Sequence, residues 1–154
     1  MKHNFFADKS NSDMVKRQKI SKAEKEDRWL EFLQRVYFSK SFTSTNFNTI
    51  DFSKIIGIPS GNLIAQLKEN LGLSFIKCKI ALRIYYAIQC INEGYLTLHT
   101  VEGLANECGF TSRSRFSVVF KAITNFTPKE YAENPKHTLP KWRDLIAKCQ
   151  AISV

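Results

Sequence analysis

The stretch Cys108-Gly-Phe-Thr-Ser-Arg-Ser-Arg-Phe-Ser-Val-Val-Phe-Lys-Ala-Ile-Thr-Asn-Phe-Thr-Pro-Lys-Glu-Tyr131 decides how this chain is read. Gly109 and Phe110 follow a helical run from Thr100 to Cys108, and Thr111 and Ser112 are residue types that cap a new helix starting at Arg113. The pattern is helix, short Gly turn, helix. In the second helix Phe116, Val119, Phe120 and Ile123 recur at spacings of three and four, which places them on one inward stripe. Arg113, Ser117 and Lys121 step by four along the opposite side, with Ser114 and Val118 beside them. Guanidinium, hydroxyl, ammonium and a small apolar group then share an exposed face suited to a DNA major groove.

Outward from this stretch, Glu107-Cys-Gly-Phe110, Ser114-Arg-Phe-Ser-x-x-Phe-Lys121 and Thr127-Pro-Lys-Glu-Tyr131 resemble the second helix-turn-helix of the AraC/XylS family of bacterial transcription regulators. The match is long and ungapped from Thr100 to Tyr131. Upstream, Gly57-Ile58, Leu63, Lys68-Glu69, Gly72-Leu-Ser-Phe75 and Arg83-Ile84 sit where that family has its first motif. The resemblance implies an all-α, homeodomain-like fold with two helix-turn-helix lobes joined by a long linker helix. Beyond Asn134 it stops.

The periodicity supplies the same organisation independently. Residues 1–25 are polar and mixed in charge and read as a flexible basic arm or linker, with Phe5-Phe6 as an aromatic pair near its start. Residues 26–134 are the part to which the resemblance assigns a DNA-binding domain. Its first helix runs from Glu26 to Lys40, carrying Trp29, Leu30, Phe32, Leu33, Val36 and Tyr37, and Ser39 to Asn48 reads as a loop. Asn48-Thr-Ile-Asp51 resembles a capping box for a short helix ending at Gly57, and Gly61 to Asn70 forms a second helix with Leu63 and Leu67 inward. Together they make a first helix-turn-helix over about 48–72.

Ser74 caps the linker helix, about 74–92, whose Phe75, Ile76, Ile80, Leu82, Ile84, Tyr85, Ile88 and Ile91 are apolar nearly all round. Gly94 stops it. The resemblance assigns this helix the spacing of two reading heads in successive major-groove segments, about 34 Å apart. Thr100 opens the second helix-turn-helix, about 100–123, with Val101, Leu104 and Ala105 inward, and Thr127-Pro128 opens a short helix through Tyr131. Residues 135–154 are an extension with an amphipathic helix from Pro140 to Ala151, on which Trp142, Leu145, Ile146 and Cys149 form the apolar stripe. Folding back on the core, touching DNA phosphates and serving another subunit are all open to it.

A net charge of +9 and a pI near 9.5 favour an anionic partner, and the last third concentrates the excess. Arg113 to Val154 carries eight Lys and Arg against three Asp and Glu, whereas Trp29 to Ser112 carries seven against six. No apolar run reaches membrane-spanning length and the start lacks a secretory core, so a cytoplasmic, nucleoid-associated chain with no membrane partner is expected. Cys78, Cys90, Cys108 and Cys149 show no metal-ligand spacing, and His3, His99 and His137 stand alone, so neither a metal nor another cofactor is predicted.

For base contacts the reading selects Arg113, whose fork matches guanine O6 and N7, and Asn62, which can pair with adenine. The resemblance adds Ser114 and Val118, the latter against a thymine methyl. Phosphate contacts fall to Ser117, Lys121, Arg115 and the Thr111-Ser112 helix start. Gly61 and Ala65 offer no side-chain hydrogen bond, so the first head is expected to position more than read. Double-stranded DNA and RNA polymerase are the partners, with the chain a monomer acting either as a stand-alone regulator or as the C-terminal piece of a longer one. Catalytic motifs are absent, which argues against an enzyme. The alternative class is a protein-interaction module on a helix-turn-helix scaffold.

Overall fold

The computed structural model describes residues 20–134 and 138–154. The basic arm over residues 1–19, His3 and His137 lie outside them. Among the described residues the elements are nine α-helices and one 3-10 turn. Helices α1 (Lys22–Ser39), α2 (Thr49–Ile56) and α3 (Ser60–Leu71) pack on one another as the first head. Helix α4 (Phe75–Asn92) is the linker, and the one-turn α5 (Tyr95–Leu98) leads into the second head, formed by α6 (Val101–Glu107), α7 (Arg113–Thr124) and α8 (Pro128–Glu133). Helix α9 (Trp142–Ala151) closes the chain.

Local chemistry sets most boundaries. Asn48 Oδ1 accepts the N–H groups of Ile50 and Asp51, and the Asp51 carboxylate accepts that of Asn48, which completes the expected capping box. Ser74, Thr100, Ser112 and Thr127 each accept an N–H of the first turn that follows. The first helix corrects the expected boundary: it begins at Lys22, not Glu26. Ser21 Oγ accepts from Glu24 N while Glu24 Oε2 accepts from Ser21 N, a second capping box that offsets the weak apolar periodicity there.

The loop expected between Ser39 and Asn48 is not a bare connection. It contains a 3-10 turn at Ser41–Thr43 and buries Phe42 and Phe47 fully in the core. Similarly, the bridge after Gly94 includes the helical turn α5. The terminal helix starts two residues after Pro140, and α8 continues past Tyr131 to Glu133.

One core runs through both heads. Leu33, Phe52, Leu63 and Leu67 fill the first, and Phe116, Phe120, Leu104 and Ile123 the second, all with 2% exposure or less. Each such side chain contributes about 1.5–3 kcal/mol by leaving water. Helix α4 is buried along most of its length, but Ile76, expected inward, is 53% exposed, because Phe75 beside it takes the contact with the first head's Phe47 and Phe52.

The second cover of α4 is α9, which folds back along it. Trp142 stacks on Tyr85 at 4.2 Å between centroids, and Leu145, Ile146 and Cys149 are buried. Arg143 pairs with Glu26 at 2.9 Å and with Asp27 on α1, while Gln150 Nε2 donates to the Leu71 carbonyl at 2.7 Å and Lys77 Nζ donates to the Gln150 carbonyl at 3.0 Å. At its other side α9 meets α7. Thus the extension is a strap across the linker that touches both heads.

All four cysteines are free and buried. Burial pushes the thiols of Cys78 and Cys149 above their ordinary range, that of Cys149 to about 12. A thiol-alkylating reagent at neutral pH is therefore expected to leave these two unmodified in the folded chain and to label them in concentrated guanidinium. Rapid labelling of either without denaturant, followed by peptide mass spectrometry, would contradict this packing. No helix among the described residues is long and apolar enough to cross a membrane.

Candidate nucleic-acid interface

Helix α7 is anchored from behind. Phe116, Val119, Phe120 and Ile123 are buried, with Phe116 5.2 Å from Phe110 and Phe120 5.5 Å from Tyr131 between ring centroids. Its start is held by Ser112 Oγ, which accepts from Arg115 N at 3.2 Å, and its end by Asn125 in the left-handed region at φ 67°. With both ends and one face held, the opposite face has a defined direction.

That face carries the predicted set. Thr111, Ser112, Arg113, Ser114, Arg115, Val118 and Lys121 are exposed, Val118 by 69%, whereas Ser117 is half-buried at the edge. Arg113 also lines a hollow of about 390 Å³ with His99, Thr100, Glu102, Lys129 and two apolar side chains. Lys129, in the first turn of α8, is an exposed cation beside Arg113 that periodicity within α7 had no means of finding.

Asn62, Gly61 and Ala65 on α3 are exposed as expected, since Leu63 and Leu67 turn the other side inward. The helical wheel also puts Ile64 outward, 59% exposed, a residue the sequence reading passed over although its spacing from Gly61 and Lys68 carried the signal. The first head thus presents one amide among small and apolar groups. The second presents guanidinium, hydroxyl and ammonium. Among the described residues no His, Cys, Asp and Glu cluster could hold a metal ion.

Between the heads, the turn of the second helix-turn-helix lies against the first head's loop. Gly109 has φ +92°, and a Cβ built there would stand 2.6 Å from the Thr43 carbonyl oxygen and 2.9 Å from Arg83 Nε. Arg83 reaches from α4 to donate to the carbonyls of Phe42 at 2.9 Å and Ser44 at 3.0 Å, with its guanidinium carbon 5.9 Å from the Phe110 ring. Burial holds this guanidinium below its ordinary pKa. Linker, loop and turn meet at one point.

Comparison with known proteins agrees with this architecture. A family model described as a helix-turn-helix domain matches residues 52–134. The chain is 31% identical over 90 residues to an uncharacterized HTH-type transcriptional regulator in the cgkA 5' region of Pseudoalteromonas carrageenovora, a match covering 58% of this chain and 50% of that protein. The chain therefore spans about half the length of this curated relative. Among solved structures, the C-terminal domain of AraT, a response regulator from Geobacillus stearothermophilus, superposes with a TM-score of 0.52 at 21% identity, over 66% of this chain and 84% of that one. The C-terminal domain of the two-component response regulator yesN from Fusobacterium nucleatum gives the same TM-score at 25% identity, over 66% and 95%. With two helix-turn-helix heads on a linker helix, an exposed cationic face on the second, and the family match across 52–134, the chain belongs to the AraC-type helix-turn-helix family of DNA-binding transcription regulators.

Proposed function

We propose that the chain binds double-stranded DNA sequence-specifically by laying α7 in a major groove, with Arg113 reading a guanine and Ser114 and Val118 contacting neighbouring base edges. The observation that carries this reading is the polarity of α7: its apolar stripe is buried while Arg113, Ser114, Val118 and Lys121 face out together. Lys121, Arg115, the half-buried Ser117 and the Thr111-Ser112 helix start hold phosphates. Asn62 supplies the first head's base contact, and Gly61, Ile64 and Ala65 bring it close without hydrogen bonding. Both heads engage one duplex as a monomer, which favours DNA that bends easily between the two segments. RNA polymerase is the partner through which binding becomes regulation, in the cytoplasm at the nucleoid.

Selection of binding sites from a random duplex pool tests this. The native chain is expected to enrich a motif spanning two adjacent groove segments. Arg113→Ala is expected to lose about 1–3 kcal/mol on that site and to relax preference at one base pair, because a two-bond contact to one base is removed. Unchanged base preference in the variant would sink the role given to Arg113.

A second reading draws on the first head. Its outward Ile64, Ala65 and Gly61 suit a protein surface as well as a groove, so this head would serve a protein partner while the second alone reads DNA. Enrichment of a motif one groove segment long, insensitive to Asn62→Ala, would favour that reading.

A further inference from the structure

Helix α4 leaves few side chains outside its packing, and they fall between the heads. Lys77 is engaged with α9, Tyr85 with Trp142, Tyr86 with Glu107, and Gln89 with Tyr37 and Glu93. The row Phe75, Lys79 and Arg83, spaced by four, differs. Phe75 packs 6.0 Å from Phe47 and 6.2 Å from Phe52 in the first head, and Arg83 binds the Phe42–Ser44 loop beside Phe110 of the second. Lys79 sits midway, half-buried, with its ammonium 5.2 Å from the Phe75 ring centroid and the exposed Ile76 one turn back.

Among the described residues no carboxylate pairs with it. The ion pairs formed among the described residues are those of Arg143 with Glu26 and Asp27, remote in the chain from this row. Arg83 spends its guanidinium on carbonyls, and Arg115 from the first turn of α7 lies close enough to act on Lys79. Burial, then Arg83 and then Arg115, hold the ammonium below its ordinary pKa. Lys79 and Arg83, one turn apart on α4 and within the field of Arg115, form no ion pair with a carboxylate among the described residues, and this positive potential favours an anion.

We propose that Lys79, flanked by Arg83 and Arg115 at the seam between the heads, seats a backbone phosphate of the DNA segment that joins the two major-groove sites. The proposal rests on the reading that both heads engage one duplex. Between two successive major-groove segments the minor groove faces the protein, and its phosphates pass the seam in any such complex. A lysine whose ammonium lies over the Phe75 ring, with no carboxylate paired to it among the described residues, gains a charge-assisted contact there at small ordering cost. Such a contact carries no sequence information but fixes how the second head sits relative to the first.

The test measures affinity for the selected duplex against KCl for the native chain, Lys79→Ala, Lys79→Arg and Arg113→Ala. Lys79→Ala is expected to reduce the log–log salt slope by about 0.9, so that between about 50 and 200 mM KCl it loses roughly 3.5-fold less affinity than the native chain. Lys79→Arg is expected to retain the native slope, and the motif enriched from a random pool is expected to be the same for all three. Methylphosphonate placed singly along the duplex is expected to weaken the native chain at one inter-segment linkage and to leave Lys79→Ala indifferent at that linkage. A native slope in Lys79→Ala, with Arg113→Ala still relaxing base preference, would overturn the seam phosphate and leave the reading head intact. Absence of salt-sensitive duplex binding by the native chain would overturn both. Thermal unfolding of Lys79→Ala within error of the native chain separates these effects from misfolding.

Discussion

Gly109→Ala is expected to destabilise the chain by about 3 kcal/mol or more. Alanine at φ +92° meets the left-handed penalty of about 1–2 kcal/mol that an L side chain carries. Its methyl would also stand 2.6 Å from the Thr43 carbonyl oxygen, which is backbone and has little room to yield. Moving that carbonyl pulls on the Phe42 to Ser44 loop and on the two hydrogen bonds Arg83 makes there. For a chain of this size each kcal/mol moves the midpoint by about 2–4 °C, so a drop of about 6–12 °C is expected in calorimetry. Gly61→Ala is the matched control. It lies in α3 with open space around its Cβ position and no positive φ, so alanine there is expected to stabilise by about 0.5–1 kcal/mol. Equal midpoints for the two variants would remove the seam contact from the account of stability.

The second large effect concerns α9. A chain ended at Asn134 loses the buried Leu145, Ile146 and Cys149 and the Trp142 stack on Tyr85, and it bares the side of α4 beneath them. At about 1.5–3 kcal/mol for each large apolar side chain, the loss comes to about 5 kcal/mol or more. Domains of this kind hold only about 5–15 kcal/mol in total. The shortened chain is therefore expected to unfold at a much lower denaturant midpoint, with the first and second heads melting in separate steps because the shared cover is gone. Leu145→Ala in the full chain isolates the packing term and is expected to lose about 2–5 kcal/mol. A shortened chain with the native midpoint and a single transition would mean that the strap adds nothing.

The strap also bears on DNA recognition. Reading two groove segments at once requires the heads to hold one separation, and a linker helix fixes only the ends it is packed against. Helix α9 adds contacts to α1 through Arg143, to the end of α3 through Gln150 and to α7 along its other side. The inter-head geometry is thus built from three elements, with the Arg83 junction on one side of α4 and the strap on the other.

The sequence by itself determined the longer helices and most of their inward faces. Capping at Asn48, Ser74, Thr100, Ser112 and Thr127 is local chemistry within four residues, and the stripes Leu63 with Leu67 and Phe116 with Phe120 follow from helical spacing. The same spacing made the exposed set on α7 legible, because a buried stripe dictates the opposite face. Ser21 and Glu24 carried a capping signal of equal quality, passed over because the apolar periodicity starts later.

What only the tertiary structure decided are contacts between residues far apart in the chain. Phe42 and Phe47 are buried because α4 and α1 close over a polar-looking loop, and Ile76 is exposed because Phe75 occupies the first head's surface instead. Gly109 is held to glycine by Thr43, the strap reaches Glu26 from Arg143, and Arg83 of α4 reaches the carbonyls of Phe42 and Ser44. Periodicity reports which side of an element turns inward. It carries no information about which distant element arrives there, since that depends on how several apolar faces are buried at once.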